Sequence, residues 1–132
     1  MLLNDIYIDP AQILKVSDMV MVDEFANAYL ECSVDANPST DTTITWRRRF
    51  RNESDAIVTQ EIDSSRMRAT IEIIDTIGIT GQSTVTLKGT LAIYNTSLED
   101  SGQQFECLAN NGIGESDTSI ATLLVLRKSK SL

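Results

Sequence analysis

The sequence predicts an all-β fold, with about seven to nine short strands arranged as a sandwich or a barrel. Apolar and polar residues alternate along most of the chain, whereas apolar stretches with helical spacing are weak. Turn signals, among them Asn37-Pro38 and the run Asn110-Asn111-Gly112, separate the alternating stretches. Short alternating stretches bounded by turns are typical of antiparallel sheets that bury one face.

The alternation also predicts where each strand runs and which residues face inward. A helix over residues 17–29 is an alternative, but Asp23 and Glu24 would interrupt its apolar stripe. The predicted strands are 13–22 (one strand or two), 29–34, 42–50, 56–61, 67–75, 84–94, 105–110 and 119–126. The inward-facing residues that they predict include Leu30, Cys32, Val34, Ile44, Trp46, Leu91, Ile93, Phe105, Cys107 and Ala109.

The composition excludes several classes of function. The 132 residues include 11 basic and 19 acidic side chains, for a net charge of −8, which disfavours nucleic acid and anionic lipid surfaces as partners. Apolar runs fall far short of the roughly 20 residues that span a membrane, so we expect no membrane insertion. The N terminus lacks the basic segment and long apolar stretch of a signal peptide. We therefore interpret the chain as a fragment of a longer protein, with Met1 added for expression.

Catalysis and metal binding are not expected either. The chain has no histidine, which removes the most common general base and the most common metal ligand. Two cysteines without a histidine do not make an ordinary zinc site. A glycine-rich phosphate loop and a paired-carboxylate motif are also missing from the sequence. We therefore predict that the protein is not an enzyme and has no cofactor.

Two cysteines and the single tryptophan narrow the predicted fold class. Cys32 and Trp46 lie on adjacent predicted strands, and Cys107 lies on the penultimate strand. In an immunoglobulin sandwich, two cysteines bridge the facing sheets and a tryptophan packs against the bridge. The pattern predicts an immunoglobulin-like β-sandwich with two packed antiparallel sheets and Greek-key topology. Two buried free thiols, as in cytosolic proteins, are the alternative to the bridge.

Residues 91–93, 98–102 and 105–114 resemble the last three strands of an I-set immunoglobulin domain. Together with Cys32 and Trp46, the resemblance covers most of residues 11–127 and implies a Cys32–Cys107 disulfide and a core around Trp46, Phe105 and Leu91. Residues 31–38 and 109–112 are similar to nephrin-type cell-adhesion proteins. The resemblance implies an extracellular module that binds another protein in homophilic or heterophilic adhesion. Residues 1–10 are then an extension or linker, and residues 128–132 a tail or linker.

Other roles remain open for a domain of this kind. I-set domains also act as links in sarcomeric or cytoskeletal scaffolds, where cysteines are often reduced. A ligand-binding domain of a cell-surface receptor and a passive spacer are further alternatives.

The sequence departs from the I-set pattern in two places. Phe105 stands where the family has a tyrosine, and one extra residue lies between Gly102 and Cys107. We expect a small bulge around Gln103-Gln104 to absorb that residue. The span between the cysteines is also long, and the excess is expected between residues 50 and 85, as an extra strand or an enlarged loop.

Two sequons indicate where N-glycans could be attached. Asn52-Glu53-Ser54 and Asn95-Thr96-Ser97 fit the acceptor pattern, whereas Pro38 excludes Asn37. Asn52 and Asn95 each follow a predicted strand, so both are expected to be exposed. Together with the cysteine pair, they favour an extracellular location.

One exposed sheet face is the predicted interface. Alternation from the inward residues turns four apolar and three charged side chains outward on neighbouring strands. The alternatives to an interface are a solvated strand face, a one-residue error in the predicted register, or cover by a neighbouring domain. A heparin-like polymer is disfavoured as partner, because the only basic cluster, residues 47–51, lies in an acidic chain. The predicted interface residues are Arg47, Arg49, Glu106, Leu108, Ile120, Leu124 and Leu126.

Overall fold

The computed structural model describes residues 2–3, 6–7, 9–37, 41–79, 81 and 83–129, which form two packed β-sheets and a short N-terminal hairpin. A single turn of 3-10 helix, Leu98–Asp100, precedes β10. In the described part of the chain, no helix is long and apolar enough to cross a membrane. The strands are β1 Leu2–Leu3, β2 Ile6–Tyr7, β3 Asp9–Val16, β4 Met19–Asp23, β5 Ala28–Asn37, β6 Thr43–Arg51, β7 Ile57–Glu61, β8 Met67–Ile77, β9 Ser83–Ile93, β10 Gln104–Asn110 and β11 Asp117–Leu126.

The strand order confirms the predicted sandwich and corrects one detail of it. One sheet has the order β4-β11-β10-β6-β7 and the other the order β3-β5-β9-β8. Most neighbours are antiparallel, but β4 pairs with β11 in parallel. This happens because the chain leaves the four-stranded sheet after β3 and continues into the other sheet in the same direction. At the crossing, the Ser17 N–H donates to the Glu31 carbonyl at 2.9 Å, and the Thr122 N–H donates to the Asp18 carbonyl at 2.9 Å.

Alternating side chains from both sheets fill the space between them, as the period of two residues predicts. On β10, for example, the fully buried Phe105, Cys107 and Ala109 alternate with half-buried residues. The disulfide between Cys32 on β5 and Cys107 on β10 joins the two sheets, with 6.7 Å between the Cα atoms. The core cluster consists of Ala11, Ala28, Leu30, Cys32, Val34, Ile44, Trp46, Met67, Leu87, Leu91, Ile93, Phe105, Cys107, Ala109, Ala121, Leu123 and Val125.

Two side chains of the other sheet hold strand β3. The Ala11 N–H donates to the side-chain oxygen of the buried Asn111 at 3.2 Å. The Ile13 N–H donates to a carboxylate oxygen of Asp117 at 2.7 Å. Because Asn111 directly follows β10 and Asp117 begins β11, strand β3 is attached to the opposite sheet as well as to its own.

Within the long segment between the cysteines, β8 and β9 form a β-hairpin of two 11-residue strands. Strands β7 and β8 and the start of β9 lie in the stretch between residues 50 and 85, where the excess length was expected as an extra strand or an enlarged loop. Gly89 lies where the hairpin passes over the other sheet, and an added Cβ would approach Ile44 Cγ2 to 2.6 Å. Ile79 and Gly81 lie in the connecting turn, whereas Thr80 and Gln82 lie outside the described residues.

The bulge expected around Gln103-Gln104 is present one residue earlier, at Gly102-Gln103. The Gly102 N–H donates to the Leu123 carbonyl at 2.7 Å, and the Leu123 N–H donates to the Gln103 carbonyl at 2.9 Å. Two residues of this strand therefore lie opposite the single residue Leu123, and Gly102, with a φ of 86°, has the left-handed conformation of the first residue of a G1 bulge. From Gln104 onward, β10 pairs with both neighbours in unbroken register, so the bulge absorbs the extra residue before the strand begins.

Candidate functional site

The outer face of the five-stranded sheet brings the predicted interface residues together. Cys107 and Leu123 point into the core, so the residues next to them in sequence point outward. Glu106 lies opposite Ile120 on β11 and opposite Arg47 on β6. The five strands of this sheet therefore share one outer surface, with an apolar side at β4 and β11 and a charged side at β6 and β7.

The apolar side contains two methionines that the sequence analysis did not include. Met19 and Met21 on β4 are 57% and 58% exposed, and Met21 lies directly opposite Leu124. Along β11, Ile120 and Leu124 are half-buried and Leu126 is 48% exposed. We define the outer apolar strip as Met19, Met21, Leu108, Ile120, Leu124 and Leu126.

The sequence alone could not assign the two methionines to a face. Every residue from Met19 to Val22 is apolar, so the alternation that identifies an outward side is missing there. The parallel register supplies the assignment, because Val20 and Val22 lie opposite the core residues Leu123 and Val125.

The charged side has alternating signs. Arg47 lies between Glu106 on β10 and Glu61 on β7 in the cross-strand register. In this register Glu106 could form a cross-strand ion pair with Arg47 or Arg49. Among the described residues, however, neither arginine approaches an acidic side chain within 4.0 Å, and Arg49 Nη1 instead donates to Gln104 Oε1 at 3.2 Å. The charges of Arg47 and Glu106 thus remain available to a partner.

A second feature that the sequence analysis missed is a partly buried ion pair near the edge of the sandwich. Arg66, in the turn before β8, donates from Nη2 to Asp100 Oδ2 at 2.7 Å and from Nη1 to Asp100 Oδ1 at 3.1 Å. The hydrogen bonds from Arg66 lower the pKa of the Asp100 carboxyl, burial opposes this, and the Ser97 N–H contributes a further lowering. The same contacts raise the pKa of Arg66 above its ordinary value. The pair fastens the start of β8 to the turn before β10, which identifies it as a structural contact.

The residues predicted for the core surround the disulfide. Trp46 on β6 lies directly opposite Cys107 on β10 and is 3% exposed. Phe105 and Leu91 are fully buried. Arg48, between the outward Arg47 and Arg49, places its guanidinium 4.8 Å from the centre of the Phe50 ring. No group of three or more potential metal ligands occurs among the described residues.

Both sequon asparagines are exposed on the folded domain. Asn52 begins the turn between β6 and β7, and its side-chain oxygen accepts hydrogen bonds from the N–H groups of Ser54 and Ala56. Asn95 follows β9 with a φ of 52°, and its N–H donates to the Asn27 side chain at 3.0 Å. Neither asparagine belongs to the outer apolar strip, so a glycan at either position would leave the strip's own residues unmodified.

Comparison by sequence gives no relative for this chain. No protein-family model matches it, and no curated protein is significantly similar to it.

Comparison by structure gives many matches, and those described here are distant in sequence. The N-terminal Ig1-2 module of the Drosophila receptor protein tyrosine phosphatase DLAR has a TM-score of 0.59 at 18% identity, over 94% of this chain and 53% of that one. The structure of the N-terminal eight Ig domains of Down Syndrome Cell Adhesion Molecule has a TM-score of 0.59 at 18% identity, over 91% of this chain and 15% of that one. Titin domains Z1Z2 in complex with telethonin have a TM-score of 0.59 at 22% identity, over 92% of this chain and 50% of that one.

This chain spans about half the length of the DLAR module that it matches. The matched structures include adhesion proteins and titin alike, so the similarity concerns architecture and not role. The cross-sheet disulfide, the buried Trp46 opposite Cys107 and the two packed sheets are the features of an immunoglobulin sandwich. The chain therefore has the immunoglobulin fold.

Proposed function

We propose that this domain is an extracellular I-set module of a larger cell-surface protein, and that it recognises another protein in cell adhesion without catalysis. The observation that carries the proposal is the outer apolar strip beside the unpaired charges of Arg47 and Glu106. Single exposed apolar side chains are ordinary, but a contiguous strip bordered by charged residues is typical of protein interfaces. The partner is either a second copy of the parent protein or a different surface protein.

The compared structures support a protein partner. One of them is Dpr2 Ig1-Ig2 in complex with DIP-Theta Ig1-Ig3, at a TM-score of 0.59 and 21% identity. Titin Z1Z2 is likewise bound to telethonin. Domains of this architecture thus form specific complexes with other proteins, as we propose for this chain.

The disulfide and the exposed sequons support an extracellular location. Disulfides persist in oxidising compartments and are rare in the cytosol. Both Asn52 and Asn95 are accessible on the folded domain. N-glycans at these positions would require passage through the secretory pathway.

Binding is tested with multivalent display of this chain against itself and against an array of cell-surface ectodomains. Leu124→Asp places a charge in the middle of the strip, and we expect at least a tenfold loss of affinity, about 1.4 kcal/mol. Leu108→Asp should act in the same way. The melting temperature should change by only a few degrees, because both side chains are half-buried and face outward.

Thr59→Asp is the matched control. Thr59 is an exposed residue of β7 opposite Arg49, at the other border of the same face. The substitution should leave the affinity for the partner within about twofold of that of the unsubstituted domain. Equal loss in all three variants, or a large loss of stability in the leucine variants, would contradict the assigned face. An array without any bound ectodomain would favour a spacer.

An intracellular scaffold is the second candidate, because the titin domains match as well as the adhesion proteins do. The intact mass of the tissue-derived protein, before and after enzymatic removal of N-glycans, separates the two. A mass decrease with Asn52 or Asn95 converted to aspartate supports the extracellular module. An unchanged mass with both cysteines free under denaturing conditions supports the scaffold.

A further inference from the structure

Strand β8 forms an uncovered edge of the four-stranded sheet. In the described part of the chain it pairs with β9 alone. Every residue from Arg68 to Ile73 is exposed, including Ile71 at 49% and Ile73 at 70%. Long edges of this kind offer unpaired N–H and C=O groups to another strand, and proteins normally shorten or block them.

The hydrogen-bond pattern shows which groups face the free edge. The Tyr94 N–H donates to the Arg66 carbonyl at 2.9 Å, one step before the Met67–Ile93 pair. Since hydrogen-bonded and non-hydrogen-bonded pairs alternate in an antiparallel ladder, the even-numbered residues of β8 bond to β9. The odd-numbered residues, such as Ala69 and Ile71, therefore direct their N–H and C=O groups away from the sheet.

The side chains of β8 are complementary to those of a second β8 in antiparallel orientation. A twofold axis at Thr70 places Arg68 of each copy opposite Glu72 of the other, so that two ion pairs form. On the opposite face of the strand, the same register places Ala69 of each copy opposite Ile71 of the other. Neither Arg68 nor Glu72 lies within 4.0 Å of an opposite charge in the described part of one chain.

Other symmetric registers lack this match. An axis at Arg68 or at Glu72 places like charges directly opposite each other, which is destabilising. An axis at Ile71 places Arg68 opposite Ile74 and Glu72 opposite Thr70, so no ion pair forms. Only the register centred on Thr70 satisfies both charges.

We propose that two copies of this chain pair through β8 in antiparallel orientation, with the twofold axis at Thr70. The four-stranded sheets of the two copies then join edge to edge into one continuous sheet, and Ile71 and Ile73 become partly covered. The surface is separate from the outer apolar strip, which lies on the other sheet. Failure of either proposal therefore leaves the other one standing.

A charge-exchange series measured by sedimentation equilibrium tests the pairing. The unsubstituted domain should be dimeric at high concentration. Arg68→Glu or Glu72→Arg alone creates two like-charge contacts and should weaken dimerisation at least tenfold. The double variant restores the opposite charges in exchanged positions and should restore the dimer. Both residues are exposed, so the melting temperatures of diluted monomers should agree within a few degrees.

Three results would overturn the proposal. The unsubstituted domain would remain monomeric at every concentration, the single variants would dimerise as it does, or the double variant would stay monomeric.

A cross-linking experiment tests the register. Thr70→Cys places two thiols at the twofold axis in a non-hydrogen-bonded pair, where the Cα atoms lie about 4.5 Å apart and a disulfide can close. The control Glu72→Cys places the two thiols four residues apart along the strands, with Cα atoms about 14 Å apart. Under mild oxidation, Thr70→Cys should give a covalent dimer and Glu72→Cys should not. Cross-linking of the control in preference to Thr70→Cys would exclude this register.

Discussion

Removing Arg66 should destabilise the domain far more than removing an arginine from a surface ion pair. In Arg66→Met the stem of the side chain is retained, but the two hydrogen bonds to the Asp100 carboxylate are lost. The Asp100 side chain is only 6% exposed, so water cannot replace those bonds fully. The Ser97 N–H still donates to the Asp100 carboxylate, which limits the loss of stability.

The magnitude follows from the burial of the two partners. Breaking a fully buried ion pair costs about 3–5 kcal/mol. Arg66 is 36% exposed, and solvent screening therefore reduces the expected loss to about 2–3 kcal/mol. With an unfolding entropy of about 2.1 cal/mol/K per residue, a chain of 132 residues should lose roughly 7–11 °C in Tm. Thermal unfolding followed by circular dichroism at pH 7 measures this directly.

Arg51→Met is the matched control. Arg51 and Asp55 form an exposed pair at 3.6 Å, with 61% and 85% of their side chains accessible. Such a pair contributes about 0–1 kcal/mol, so its loss should lower Tm by no more than about 4 °C. Equal shifts in the two variants would refute the reasoning, because burial would then not decide the cost.

Acid titration provides a second check on the same pair. The pKa of Asp100 is lower in the folded chain than in the unfolded chain, since Arg66 stabilises the carboxylate. The stabilisation is therefore complete above the ordinary aspartate pKa of about 3.9 and is lost as the pH falls through the lower, folded value. The difference between the unsubstituted domain and Arg66→Met should narrow below about pH 4. A difference that stays constant down to pH 2 would contradict the assigned cause.

Three further changes test the packing of the sandwich. Gly89→Ala should cost about 1–3 kcal/mol by overpacking, and combining it with Ile44→Ala should cost less than the sum of the two single changes in denaturant unfolding. Replacing Cys32 and Cys107 together by alanine removes the bond that closes a loop of 75 residues. The free energy of unfolding should fall by about 4–5 kcal/mol on the chain-entropy relation. An unchanged free energy of unfolding would show that the bond does not restrict the unfolded chain. Asn111→Ala should lower the free energy of unfolding by about 1–3 kcal/mol and should speed hydrogen exchange at the N–H of residue 11. Unchanged protection of that N–H would show that β3 does not depend on its hydrogen bond to Asn111.

The strands and the core were accessible to sequence reasoning because their signals are local. Alternation along β5 and β10 assigned Cys32 and Phe105 to the interior, and the structure has them fully buried. The predicted strands differ from the observed ones mainly at their ends. Strand β5, for example, continues to Asn37 instead of ending at residue 34.

The features that the sequence did not reveal depend on pairing between distant segments. The parallel contact of β4 with β11 places Met19 beside Thr122, and no local pattern encodes that choice. Likewise, Arg66 and Asp100 are separated by 34 residues and meet only because both flank the same end of the sandwich. The extra residue before Cys107 and the bulge that absorbs it were predicted from the sequence, but the exact position of the bulge depends on the left-handed conformation of Gly102 and on its pairing with Leu123.

The disulfide also limits how far the domain can lengthen under tension. A pull on the two chain ends reaches Cys32 and Cys107 from outside, and the covalent bond carries the load past the segment between them. The 75 residues enclosed by the bond would otherwise contribute about 250–270 Å of extended chain. With the bond intact, only the segments before Cys32 and after Cys107, which include β3, β4 and β11, can be drawn out. The oxidised domain therefore lengthens little under load, and reduction would let it lengthen much further.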